Sequence, residues 1–348
     1  MDLKHYENLL NLRGVSGAEK EVRDYLEKEY KKYNVEIIKD NLGGIFALKK
    51  GNKNDLKIVV AAHMDEVGAM VSNITKEGFI KFIVIGGVLP EVFLSQHIEI
   101  TTKDDEVVKG VVATIPPHLS SDSKELKIED MFIDIGASSK QEVLDLGIDI
   151  GSFVNFINQY YHLKNQERIV SKAWDNRFGC AMTIDILESI QNEAHDNTLI
   201  VGATVQEEVG LRGAKVASQM LEADIFIAVD ASPVSDFLNA PDGFGKLGEG
   251  FLVRLYDPGY IMNIKVKDYI ISLAKKNNIK YQEFFSKGGT DAAAAQYNSN
   301  VALTIGLPCR YIHSTASIAD VKDIEAVKQI ILAIIKDLDK EKFLKIKK

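Results

Sequence analysis

Residues 56–68 read LKIVVAAHMDEVG: five consecutive apolar residues, Ile58–Ala62, run straight into His63 and Asp65. An unbroken apolar run without polar alternation is the pattern of a strand buried on both faces, as in the middle of a parallel sheet. The pattern returns downstream. Residues 198–205, TLIVGATV, precede Glu207 and Glu208, and residues 225–230, IFIAVD, end on Asp230. Residues 301–307, VALTIGL, precede His313 by a short loop, and Asp175 opens a helix after KAWD. In open α/β sheets the crevice outside the carboxyl ends of the strands receives the ligand. The spacing therefore predicts two histidines and several carboxylates on one rim.

Helices are expected between these strands: 175–193, with Phe178, Met182, Ile186 and Leu187 on its apolar side, then 214–220, 261–277 and 324–337. This alternation predicts a mostly parallel sheet with helices on both faces. Residues 1–33 read as two helices separated by Gly14 and Gly17, with Ser16 as the N-cap of the second. From about 69 to 163 the texture changes to short β-branched or aromatic runs joined by Gly- and Asp-rich turns, with a helix only at 141–146. A β-rich block interrupts the α/β chain. The basic tail KEKFLKIKK reads as a frayed, solvated end.

Composition narrows the function classes. Of 348 residues, 46% are hydrophobic and 26% charged, which is globular rather than disordered or fibrous. Acidic residues outnumber basic by eight (50 against 42), which argues against a nucleic-acid surface. Two cysteines, Cys180 and Cys309, make neither a disulfide framework nor a thiolate metal site. The N-terminus carries charge throughout and is no signal peptide. The best apolar run elsewhere, residues 82–90, is far short of the ~20 residues of a membrane span. A soluble cytoplasmic protein without membrane or nucleic-acid partners is the expectation. Gly243, Gly245 and Gly248 satisfy GxGxxG, but they lead into the strand-like FLVRLY, where a dinucleotide site needs a strand before and a helix after.

The rim set has a chemistry of its own. Imidazole and carboxylate together suit Zn, Co or Mn, and there are enough donors for two ions sharing one carboxylate, as in two-metal hydrolases. Adjacent residues in extended chain point to opposite sides, so one of Glu207 and Glu208 can bind metal while the other stays free as a base. His63 and Asp65, two apart, share a side, which lets Asp65 orient the imidazole. Taken singly, each is also an ordinary polar strand end. The residues point to a co-catalytic metallohydrolase and do not separate amino- from carboxypeptidase.

Nine blocks carry a family resemblance: VAAHMDEVGAMV, PPHL, DIGASS, IVSKAWDNRFG, VQEEVGLRGA, AVDASP, RLYDPG, KGGTDAAAA and RYIHS. Together they resemble the dinuclear-metal TET-type aminopeptidases, the glutamyl aminopeptidase or so-called cellulase M group. The resemblance implies a three-layer α/β/α zinc-peptidase-like catalytic domain at 1–68 and 164–348. It also implies an inserted β-rich domain at 69–163 that builds homo-oligomers, dimers growing to dodecamers. It implies His63 and Asp230 as ligands of one metal, Asp175 as the bridging carboxylate, and Glu208 and His313 as ligands of the second. Glu207 is then the general base and Asp65 the residue orienting His63, acting on peptide substrates. Lys287, in a loop the resemblance places near the substrate pocket, and Arg254 are candidates for pairing with an acidic N-terminal side chain. Each also reads as an ordinary loop or structural cation. A metal deacylase or carboxypeptidase of similar fold, with Arg212 or Arg310 holding a carboxylate, is the alternative. A glycoside hydrolase would leave the histidines idle, and a binding module would leave Glu207 idle.

Overall fold

The computed structural model describes residues 2–119, 126–165, 167–239, 245–299 and 301–347. Gly243 lies outside them. Four strands, Thr198–Thr204, Lys57–His63, Ile225–Pro233 and Val301–Arg310, run parallel in that order at the centre of one sheet. Their apolar runs are buried on both faces. Register sets the rim. His63 is level with Thr204, and because Ala61 is level with Ala228, Asp230 comes level with His63. The flanks join this centre antiparallel, and Phe251–Asp257 pairs in parallel again with Tyr281–Phe285, so the sheet is mixed around a parallel centre rather than mostly parallel throughout. Ile45–Lys49 pairs with Thr198–Thr204, and Phe251–Asp257 and Ser317–Asp320 pair with Val301–Arg310.

Helices cover both faces. The Trp174–Ile190 helix lies so close to the sheet that a Cβ on Gly179 would stand 2.6 Å from Ala62 Cβ. Thr204, one residue further along and therefore on the other face, meets the Arg212–Leu221 helix at Gly213. The mixed α/β architecture with two helical layers agrees with the sequence.

Six strands between Gly68 and Phe156 close into a small barrel. It has its own apolar interior, in which Phe93 packs between Phe82 and Phe156 at 5.2 and 4.9 Å. Alternation explains the strands: in His97–Thr101 only Ile98 and Ile100 are buried. The short Pro90–Phe93 helix in this stretch has no counterpart in the sequence reading. Nor is the tail frayed. Lys340–Ile346 is helical, capped by the Asp339 side chain, and buries Phe343 and Ile346. Ser16 caps no helix; its hydroxyl donates to Asp65. Among the described residues no helix is long and apolar enough to cross a membrane.

Candidate metal centre and active site

His63 ends its strand with a side chain only 1% exposed. Its Nε2 lies 3.0 Å from Asp175 Oδ1, 3.6 Å from Asp230 Oδ1 and 3.9 Å from Glu207 Oε2. Its Nδ1 faces Asp65, with the main-chain oxygen at 3.1 Å and the carboxylate at 3.4 Å. The Asp65 carboxylate is also committed elsewhere. It accepts from Ser16 Oγ and from the peptide N–H groups of Glu207 and Glu208, at 2.7, 3.0 and 3.1 Å. Asp65 therefore ties the acidic pair to the histidine strand.

Glu207 and Glu208 lie in a turn, not in extended chain, because the strand ends at Thr204 and Gln206 adopts φ +54°. Strand alternation does not separate them. Both line one cavity, and the turn brings them to different histidines, Glu207 toward His63 and Glu208 Oε2 to 3.3 Å from His313 Nε2. Asp175 stands at a helix start whose backbone is non-helical at 175 and 176, after Ala173 at φ +54°. Its second oxygen is 3.5 Å from His313 Nε2. Left-handed non-glycine residues cluster here, with Ala173, Gln206, Leu211, Tyr311 and His313 all at positive φ. Such strain collects at functional sites.

Two ligand trios follow, His63–Asp175–Asp230 and Asp175–Glu208–His313, and they share only Asp175. Its two oxygens face two different histidines. A third trio joins His63 to Glu207 and Glu208. Among the described residues, Glu208 Oε1 and Asp230 Oδ1 are buried without a hydrogen-bond donor. Buried carboxylate oxygens are costly in that condition, and a hard or borderline divalent cation satisfies them. The residues fit such ions.

The electrostatics agree. Burial raises the Glu207 carboxyl well above its ordinary value; His63 opposes this, and the charges of Asp230, Glu208 and Asp291 add to it. Burial likewise raises Glu208 and Asp230, with Asp175 adding to both. For His313, burial is outweighed by Asp175 and Glu208, and the imidazole is pushed up to about 11. The negative charge exceeds what two imidazoles can balance.

Behind the rim, Glu66 accepts from Lys172 Nζ at 2.7 and 2.8 Å and from Arg177 Nη2 at 3.1 Å, all three side chains buried. Arg177 also donates to the carbonyls of Leu9, Leu12, Gly14 and Met64. The triad clamps the segment after His63 to the segment carrying Asp175. It lies within blocks quoted above, but nothing in residue type or spacing marked it.

The cavity over the rim is about 380 Å³ and is walled by Leu211, Pro233, Ile312, Arg254 and the Ser286–Gly289 loop. Arg254 is buried, with Nη2 donating to Ser232 Oγ and Nη1 to Gly288 O. Lys287 is exposed and is not among the lining residues, although Ser286 and Gly288 are. A larger hollow, about 590 Å³ between Arg13–Glu21 and the barrel, is lined by none of the ligand residues.

The M42 glutamyl aminopeptidase family matches residues 43–330. The chain belongs to that family. M42 enzymes are metal-dependent aminopeptidases, and this chain is accordingly a peptide-bond hydrolase. It is 39% identical to the glutamyl aminopeptidase of Lactococcus lactis over 97% of each chain. It is 32% identical to the lysyl aminopeptidase of Pyrococcus furiosus over 97% of this chain and 98% of that one. Among solved structures it matches the Pyrococcus horikoshii TET1 peptidase, described as assembling into a tetrahedron or a large octahedral shell. That match has TM-score 0.87 and 29% identity over 97% of this chain and 99% of the other. The mixed α/β fold is that of the TET peptidases.

Proposed function

We propose that this M42 aminopeptidase works as a dinuclear enzyme in which His63 and Asp230 bind one divalent ion, Glu208 and His313 the other, and Asp175 bridges them. The observation that carries this is the pair of trios sharing only Asp175. Zn, Co and Mn all suit the donor set. When bound, the ions supply Lewis acidity to the scissile carbonyl and the attacking water.

The chain's own residues do the rest. Glu207, buried and raised in pKa, takes a proton from the water as its oxygen bonds to the carbonyl carbon. It returns that proton to the leaving nitrogen as the C–N bond breaks. Asp65 holds Glu207 and Glu208 through their peptide N–H groups, so the base and the ligand move as one. The substrate is a peptide with a free N-terminus, and its first side chain enters the cavity beside Arg254.

The named relatives take glutamyl and lysyl substrates. Arg254 lines the cavity and is the cation for an acidic first side chain, its Nη1 also standing 3.6 Å from the buried Asp257 carboxylate. Lys287, on the exposed side of the same loop, is the outer selector.

The barrel, in the inserted segment 69–163, is the oligomerisation unit, with 1–68 and 164–348 forming the catalytic unit. Ile83, Leu89, Ile115 and Leu119 in that segment are large and exposed, and the TET1 relative forms shells. Two free buried thiols support a reducing, cytoplasmic setting.

The test is hydrolysis of aminoacyl anilides by chelator-stripped protein reloaded with Zn, Co or Mn, wild type beside Glu207→Gln. Metal-dependent release that falls about 10²–10⁴-fold in the variant, with metal content unchanged, is expected. Full activity in Glu207→Gln refutes the base assignment, and release insensitive to chelator refutes the metal mechanism.

A further inference from the structure

We infer that the barrel supplies a positioning group to the catalytic centre: the main-chain carbonyl of Gly87, which fixes the ring of His313. This rests on the dinuclear reading above. Gly87 lies between the barrel strand Ile80–Ile85 and the Pro90–Phe93 helix, which Phe93 anchors in the barrel interior. His313 Nδ1 donates to Gly87 O at 2.7 Å.

A carbonyl oxygen can only accept, so Nδ1 carries a proton, and Nε2 is the nitrogen turned to the centre, where an ion would take the place of its proton. Nε2 is the atom 3.3 Å from Glu208 and 3.5 Å from Asp175. His63 is held the same way, but from its own segment, by Asp65. The two imidazoles are thus oriented from two different parts of the fold.

His313 is also the member most in need of a hold. Its side chain is 28% exposed, against 1–11% for His63, Asp175, Glu208 and Asp230, and its backbone is left-handed at φ +58°. The loop reaches it because residue 86 is glycine. Gly86 has φ +83°, and a Cβ there would stand 2.6 Å from Val67 Cγ1 and 3.5 Å from Glu208 Cβ. Any side chain at 86 therefore pushes the Gly87 carbonyl away from His313. At Gly87 itself a Cβ would meet nothing closer than 3.6 Å.

Partners that orient metal-ligating histidines are worth about 10–100-fold in metal affinity. The barrel thus sets the affinity of one ion of the pair and leaves the other alone.

The experiment is titration of Zn, and of Co followed by its visible spectrum, into chelator-stripped full-length protein. Wild type, Gly86→Ala and the double variant Gly86→Ala/Val67→Ala are compared. Wild type takes two ions. Gly86→Ala weakens one of them about 10–100-fold and leaves the other at wild-type affinity, which also reports an intact fold. Trimming Val67 to alanine in the double variant recovers part of the loss. Wild-type binding of both ions by Gly86→Ala, or equal loss of both, overturns the inference. Should Gly86→Ala fail to fold, ¹⁵N spectra of Zn-loaded wild type decide: an Nδ1–H on His313 supports the inference, and an Nε2–H overturns it. Fewer than two ions in wild type defeats the dinuclear reading itself, and the inference with it.

Discussion

Replacing Glu66 by Gln preserves the shape of the side chain and removes the one negative charge shared by Lys172 and Arg177. All three side chains are at most 3% exposed, so water cannot take over the lost role. Arg177 has spent its other donors on four main-chain carbonyls and cannot turn away. Removing one partner of a buried ion pair costs about 3–5 kcal/mol, because a charge is left uncompensated.

Lys172 offers partial relief, since burial already holds its ammonium below the ordinary value. It can shed its proton, which places the expected loss near about 3 kcal/mol at pH 7. The sign with pH follows. A base whose folded pKa is depressed favours folding when neutral, and the variant depresses it further. The deficit is therefore full below the variant's folded pKa and shrinks as pH rises toward the ordinary lysine range. Urea unfolding followed by the fluorescence of Trp174, the single and fully buried tryptophan, measures it. Adding Lys172→Met to Glu66→Gln should return at least about half of the loss. A Glu66→Gln deficit below about 1 kcal/mol, or no recovery in the double variant, refutes the reasoning.

Asp175→Asn should lower the affinity for both ions, whereas Asp230→Asn lowers one; metal analysis after gel filtration separates the two patterns. Phe343→Ala should cost about 3–5 kcal/mol, because the tail helix is packed; a Tm equal to wild type would show a loose tail instead. The Glu27 carboxyl, held by Lys31 and Lys39, is lowered to about 2. Its contribution is complete above the ordinary glutamate value and is lost as pH falls through about 2. An NMR titration placing its midpoint near 4.5 would contradict this. Arg254→Met should reduce the ratio of kcat/KM for glutamyl over leucyl anilides about 10–100-fold, the worth of a hydrogen bond to a charged group. An unchanged ratio removes Arg254 as selector.

Much of the fold and of the site was legible because its signals are local. Ile58–Ala62, 198–205 and 225–230 announce buried strands by composition alone. His63, Asp230 and the Glu207–Glu208 pair stand where such runs end, which puts them on a rim before any contact is known.

Other features left no local trace. The tail helix is seven residues long and shows only two buried positions, too few for periodicity to separate from a charged, frayed end. Ser16 reads as a cap from residue type, yet Asp65, distant in sequence, takes its hydroxyl. The separation of Glu207 from Glu208 was expected from strand alternation and is made instead by a turn that Asp65 holds.

The sequence by itself determined which side chains reach the rim, because apolar runs and polar stops are written residue by residue. Only the tertiary structure decided their partnerships. Asp175 meets His63 across 112 residues through register and helix placement. Glu66 finds two cations on a separate segment. Gly87 acts through a main-chain oxygen that every residue possesses, and only its position beside His313 gives that atom a role.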